Sequence, residues 1–122
     1  QIPNVTNIDF LFANDFSLKR IDISRLAIKN LYSMSSAFNY CKNARKISLN
    51  NIDTSKVKNM DYLFHHCENL EHIDGIIDMT SAINYKNMFL ACYKLKDIKV
   101  KNIPEDFEQK AQISSWQYKV VK

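Results

Sequence analysis

The chain has 122 residues, a length that allows only one ordinary domain, and its formal net charge is +4. So mild a charge does not by itself indicate nucleic-acid binding, and we expect no nucleic-acid partner. The single glycine, Gly75, excludes Gly-rich phosphate loops and dinucleotide fingerprints, because each needs several glycines at fixed spacing. The absence of an apolar run of 18 residues predicts no transmembrane helix, and we expect no signal peptide within these residues.

The dominant feature of the chain is an internal repeat marked by four phenylalanines at spacings of 26, 26 and 25 residues. These are Phe12, Phe38, Phe64 and Phe89. Three residues after each Phe comes Asp15 in the first copy and a cysteine in the others: Cys41, Cys67 and Cys92. Further apolar columns recur four and seven residues before the Phe, and six and nine residues after it. We therefore assign the four Phe and three Cys residues to the structural core.

Each copy combines two apolar periodicities. Val57, Met60, Phe64 and Cys67 follow one another at steps of three or four, which favours one face of a helix. The isoleucine nine residues after each Phe opens a stretch that alternates with period two, as a strand does. A unit of this size buries its apolar face only by stacking on neighbours. The sequence therefore predicts an α/β fold, a leucine-rich-repeat-like solenoid of four strand-helix units with a parallel sheet, over residues 1–103.

The last 19 residues, 104–122, depart from the repeat and are predicted to form a C-terminal cap. Pro104 followed by two acidic residues is a typical helix start, and Trp116, Tyr118 and Val120 alternate with polar residues as in a strand. At the other end, Asp15 indicates either a polar outer edge or further repeats upstream. We expect the chain to be part of a longer protein.

Residues 57–73 and 87–98 resemble BspA-like leucine-rich repeats, whose pattern is V-x-N-M-x-x-M-F-x-x-C-x-x-L-x-x-I, often after D-T-S-x-V. Asp53, Thr54 and Ser55 match that lead-in. The residue before the Phe departs from the pattern in three copies, since it is Met only at Met88. The resemblance implies a non-enzymatic, exported bacterial protein, found on cell surfaces, in lipoproteins or in phage tails and associated with adhesion. It offers no catalytic residue to carry over.

The reactive residue types do not form a recognisable catalytic or metal site. The cysteines are spaced by the repeat period, which predicts three free, buried thiols. His65, His66, Cys67 and His72 suggest zinc only weakly, because Cys67 belongs to the core column and a tetrahedral site needs four convergent ligands. We expect no catalytic residue, no metal and no cofactor.

The outward-facing strand residues are the predicted binding site. If the isoleucines point inward, one exposed column holds Arg20, Lys46, His72 and Asp97, and the next column holds Asp22, Ser48, Asp74 and Lys99. Side-by-side cations such as Arg20 and Lys46 suggest an anionic partner, although a merely solvated face is the alternative. The predicted site comprises Arg20, Asp22, Lys46, Ser48, His72, Asp74, Lys99 and Lys101.

These observations favour an exported binding or adhesion module, extracellular or on the cell surface, that engages a protein or glycan on a host or bacterial surface. The alternative is a structural or receptor-binding module of a phage tail or virion. It would assemble into a larger particle through the solenoid ends or the strand at residues 116–120.

Overall fold

The computed structural model describes residues 5–26 and 28–122, which wind into four stacked coils of a β-solenoid followed by a tail. The strands are short, and their bounds are β1 Val5–Asn7, β2 Arg20–Asp22, β3 Ile28–Ser33, β4 Lys46–Ser48, β5 His72–Asp74, β6 Ile76–Asp78, β7 Ile98–Lys101 and β8 Tyr118–Val120. They form three parallel sheets, in the orders β1-β3, β2-β4-β5 and β6-β7-β8. Pairing is parallel because each repeat brings the same segment back one layer further along the stack. The predicted solenoid is confirmed.

The predicted strand-helix units are wrong. Within the described residues the only α-helix is α1, Phe107–Ala111, which together with a 3-10 turn at Ser115–Gln117 lies in the tail. In the segment from Val57 to Cys67, residues 61–66 form consecutive turns, and Asn59 makes isolated parallel bridges to Ser33 and Asn84. In an α-helix each amide donates to the carbonyl four residues back. Here Leu63 donates to Met60, three residues back (3.2 Å), whereas Phe64 donates to Met88 in the next coil (2.8 Å).

Left-handed backbone at fixed positions produces these turns. Tyr62 and His66 have φ of +57° and +59°. The equivalent positions in the other copies also have positive φ: Phe10, Asn14, Ser36, Tyr40, Asn87 and Ala91. A right-handed helix cannot contain such residues, whereas several types of tight turn require them. Both a helix and this series of turns bury side chains at steps of three or four residues. The spacing therefore could not distinguish the two, and the predicted helix was wrong.

A column of stacked phenylalanines runs through the core. The rings of Phe38 and Phe64 lie 5.4 Å apart at 4°, and those of Phe64 and Phe89 lie 5.5 Å apart at 14°. Phe12 stacks on Phe38 at 5.9 Å but is only partly buried, because it belongs to the outermost coil. At the other end Phe107 of α1 meets Phe89 edge-on, so that the tail covers the last ring.

The tail closes the fourth coil through backbone as well as side-chain contacts. The amides of Asn87 and Phe89 donate to the carbonyls of Lys110 and Ala111, at 2.8 and 2.9 Å, in the way that earlier coils bond to their successors. β8 pairs in parallel with β7. The first coil, by contrast, exposes Leu11 and Leu18, whose counterparts in the other coils are buried.

Candidate functional site

The sheet β2-β4-β5 brings six of the eight predicted site residues together. Ile21, Ile47 and Ile73 pair across the sheet and point into the core. On either side of this buried row, Arg20 pairs with Lys46 and Lys46 with His72, while Asp22 pairs with Ser48 and Ser48 with Asp74. Ser48 is buried in this arrangement, but the other five side chains are exposed or half-buried.

The predicted register of the fourth coil is wrong. Lys99 pairs with Ile76, not with Asp74, and Lys101 pairs with Asp78. Two strands, β5 and β6, occupy the third coil where the repeat predicted one, and Gly75 separates them. Its φ of +96° turns the chain at a point where a Cβ would lie 2.9 Å from the backbone carbon of Leu49. Lys99 and Lys101 therefore belong to the neighbouring sheet.

Two shallow cavities lie along this face. The first has a volume of about 230 Å³, and its charged lining residues are Arg20, Asp22, Lys46 and Asp74. The second, of about 320 Å³, is lined by His72, Asp74, Lys96, Asp97 and Lys99 among others. Both cavities include Asn50 and Asp74, which makes them adjacent. Lys99 thus reaches the site from the neighbouring sheet, whereas Lys101 lines neither cavity.

Sequence reasoning missed Lys96 and Asn50 as site residues. Lys96 lies in the irregular segment that leads into β7, outside any period-two pattern, and the positive φ of Asp97 redirects the chain there. Asn50 follows β4, and the alternation places it on the same face as Lys46 and Ser48, but it was not selected as a site residue. We refer to the residues that line the two cavities as the sheet-face site.

The sheet-face site is mixed in charge. The ammonium of Lys46 lies 3.1 Å from the Oδ2 of Asp74, and both side chains are about 40% exposed, so this ion pair contributes little stability. Hydrogen bonding from Ser24 holds the pKa of Asp22 below its ordinary value, and the charges of Arg25 and Lys46 lower it further. Arg20 makes no ion pair with any residue that the structure describes. Its guanidinium therefore remains available for a carboxylate on a partner.

The cysteine thiols serve packing. All three are buried and unbridged, as the spacing predicted. The thiols of Cys41, Cys67 and Cys92 donate to the carbonyls of Phe12, Phe38 and Phe64, at 3.2, 3.1 and 3.0 Å. The neighbouring Cys67 thiol and burial raise the pKa of Cys41 far above its ordinary value, which suppresses the nucleophilic thiolate.

The histidines are engaged with polar side chains. His65 Nδ1 lies 2.9 Å from the amide oxygen of Asn39, and His66 Nδ1 lies 3.0 Å from a carboxylate oxygen of Glu68. Their rings pack against Tyr40 and Tyr62 on the turn side of the solenoid. In the part of the chain that the structure describes, no group of three or more His, Cys, Asp or Glu residues is arranged to hold a metal ion.

Comparison with known proteins gives one match. The family model described as "Mycoplasma protein of unknown function, DUF285" matches residues 1–103. The chain belongs to the DUF285 family. The match covers the four coils and ends before the DUF285 chain enters α1. It names a bacterial genus, in keeping with the expected bacterial origin, but it does not name the BspA-like leucine-rich repeats.

No curated protein and no solved structure matches this DUF285 chain significantly. Among its described residues, no helix is long and apolar enough to cross a membrane.

Proposed function

We propose that this DUF285 domain is a non-enzymatic binding module of an exported bacterial surface protein, and that it engages its partner on the sheet-face site. The main support for the proposal is the pair of adjacent cavities over the sheet β2-β4-β5. The side chains that line these cavities include both cations and carboxylates. Concave surfaces of this kind are the usual partner surfaces of solenoid proteins.

A protein segment that carries carboxylates fits this site best. Asp74 already neutralises Lys46, whereas Arg20 has no such partner among the described residues. Lys96 and Lys99 line the second cavity with a single further carboxylate, Asp97, besides Asp74. Arginine binds carboxylates through two parallel hydrogen bonds, which gives such a contact direction as well as strength. The expected partner is therefore an acidic protein segment displayed on a cell surface.

The non-enzymatic part of the proposal rests on what the reactive side chains already do. The cysteine thiols are bonded to backbone carbonyls in the core, and His65 and His66 pack in an aromatic cluster. Neither arrangement presents a nucleophile next to a general base in a cavity, which acyl or group transfer requires.

The test is a binding assay with the domain displayed in several copies, because one small site binds weakly and multivalency compensates for that. The panel contains extracellular-matrix proteins and intact bacterial envelopes. The decisive variant is Arg20→Glu/Lys46→Glu. Its matched control is Lys29→Glu/Lys58→Glu, which changes two exposed lysines away from the cavities. Each pair takes the formal net charge from +4 to 0, since every substitution changes it by two.

We expect binding to matrix proteins that the sheet-face variant loses and the control retains. Binding to bacterial envelopes alone would instead favour a receptor-binding role in a phage tail. Equal loss in both variants would show that net charge, and not this site, governs the interaction. Absence of binding to the whole panel by a folded, multimerised domain would contradict the proposal.

A further inference from the structure

A third cavity lies at the junction between the fourth coil and the tail, away from the sheet-face site. It has a volume of about 220 Å³ and includes Tyr93, Gln112, Ser114, Trp116 and Gln117 in its lining. Tyr93 belongs to the last turn of the coil, and Trp116 to the 3-10 turn of the tail. The two residues are 71% and 62% exposed, and Tyr and Trp are among the residue types most enriched at binding hot spots.

A buried side-chain amide, that of Gln117, fixes the backbone next to the two aromatic residues. Gln117, which follows Trp116, donates from Nε2 to the carbonyls of Cys92 and Leu95, both at 3.0 Å. Its Oε1 accepts from the amide of Ser114, also at 3.0 Å. Because Cys92 precedes Tyr93, this clamp fixes the backbone on both sides of the cavity. A ligand that enters here therefore meets aromatic residues on an ordered backbone, which reduces the entropic cost of binding.

The lining also indicates the chemistry of the ligand. None of the residues that line this cavity is acidic, basic or a histidine, although 25% of the chain is charged. The cavity therefore offers no basic side chain to pair with an anionic ligand and no carboxylate to pair with a cationic one. Amide and hydroxyl groups remain for hydrogen bonding, next to exposed aromatic surface. An uncharged sugar has this pair of properties, since its ring offers apolar C–H faces for aromatic contact and hydroxyls for hydrogen bonds.

We propose that the cavity between Tyr93 and Trp116 binds a neutral saccharide. This site is separate from the sheet-face site. It lies in a different region of the fold, shares no lining residue with the sheet-face site, and is lined by uncharged side chains. The domain would thus carry two recognition surfaces, one for an acidic protein segment and one for an uncharged glycan.

Trp116 is the only tryptophan in the chain, so its fluorescence reports on this cavity alone. The experiment titrates the full chain with neutral oligosaccharides of glucose and of N-acetylglucosamine, with sialyllactose as an anionic comparator. Tyr93→Ala keeps the reporter and removes one aromatic side chain. Tyr32→Ala is the matched control, because Tyr32 is also exposed but lies on β3. Saturation-transfer NMR repeats the titration with Trp116→Ala, which has no fluorescence reporter.

We expect a saturable fluorescence change with at least one neutral series, weakened at least about tenfold by Tyr93→Ala and unchanged by Tyr32→Ala. The Arg20→Glu/Lys46→Glu variant should respond like the unmodified chain, which separates this proposal from the previous one. No saturable response to either neutral series would overturn it. So would a response that survives both Tyr93→Ala and Trp116→Ala, or one that only sialyllactose produces.

Discussion

The phenylalanine column shows how single residues hold the coils together. Phe38, Phe64 and Phe89 are almost completely buried, and the ring of Phe64 stacks between those of Phe38 and Phe89. The cysteine three residues later donates its thiol to the carbonyl of the Phe one coil earlier. One short segment of each repeat therefore supplies both the largest apolar group of the layer and a bond to the layer before it.

Phe64→Ala should lower the free energy of unfolding by about 3–5 kcal/mol, because the cavity opens between two stacked rings and neither neighbour can move alone. Phe16→Ala is the control, since Phe16 is 52% exposed and its loss should cost less than about 0.5 kcal/mol. Urea denaturation of the three proteins measures both values. Equal midpoints for Phe64→Ala and the unmodified chain would show that the ring column does not hold the coils together.

Gly75 is the residue whose conformation separates the two sheets. Gly75→Ala should destabilise the domain by at least about 1–2 kcal/mol, because its φ is +96° and the new Cβ would press on the backbone of Leu49. Ala91→Gly is the converse change at a residue with φ of +67°, and it should leave stability unchanged or raise it slightly. Thermal melts compare them. A Gly75→Ala variant as stable as the unmodified chain would contradict the proposed role of this turn.

At the scale of elements, the sequence predicted the strands better than the turns. The period-two alternation around Ile21, Ile47 and Ile73 predicted the positions and register of β2, β4 and β5. It failed at β7 because Gly75 divides the preceding strand, and counting residues from Phe64 does not detect that division. Lys99 was consequently assigned to the wrong pair, and Lys96 was missed because it lies in the irregular segment before β7.

The turn segments were predicted to be helices because the spacing of buried residues reports which side chains share a face, not which amide bonds to which carbonyl. Val57, Met60, Phe64 and Cys67 are all buried, as a helix would require. The distinguishing signal was composition: the positions two residues before and two residues after each Phe have positive φ and carry Asn or aromatic residues in several copies. Of these types, only Asn and His are enriched at positive φ, so the signal was weak.

The tail depends on Gln117 for its attachment to the fourth coil. Gln117→Ala should cost about 1–3 kcal/mol, because it leaves the carbonyls of Cys92 and Leu95 without their side-chain donor. Gln109→Ala is the control, since that side chain is exposed. Hydrogen exchange should show faster exchange for the amides of residues 113–121 in the Gln117 variant only. Unchanged exchange there would show that the tail is held without Gln117, by β8 and by the backbone bonds to Lys110 and Ala111.

At the scale of the whole molecule, the stack of turns is directional. In the turns around each Phe, amides donate to carbonyls of the next coil, as Phe12 does to Ala37, Phe38 to Leu63 and Phe64 to Met88. Outside these turns, amides such as those of Arg45 and Lys58 donate to the preceding coil. The tail supplies the last acceptors, at Lys110 and Ala111. This direction of bonding explains why the tail can end the stack although its sequence is not a repeat. The tail needs to offer only acceptor carbonyls and a buried apolar side chain. Phe107 provides that side chain.

Residues 57–70 bond from coil to coil, with turns at 61–66 and 68–69, and do not form a helix. Solution NMR of the unmodified chain tests this arrangement through nuclear Overhauser effects and amide-to-Hα couplings across this segment. We expect contacts between the aromatic protons of Phe38, Phe64 and Phe89, and couplings at Tyr62 and His66 that fit positive φ. A continuous series of contacts between residues three and four apart, with helical couplings at Tyr62 and His66, would contradict the β-solenoid.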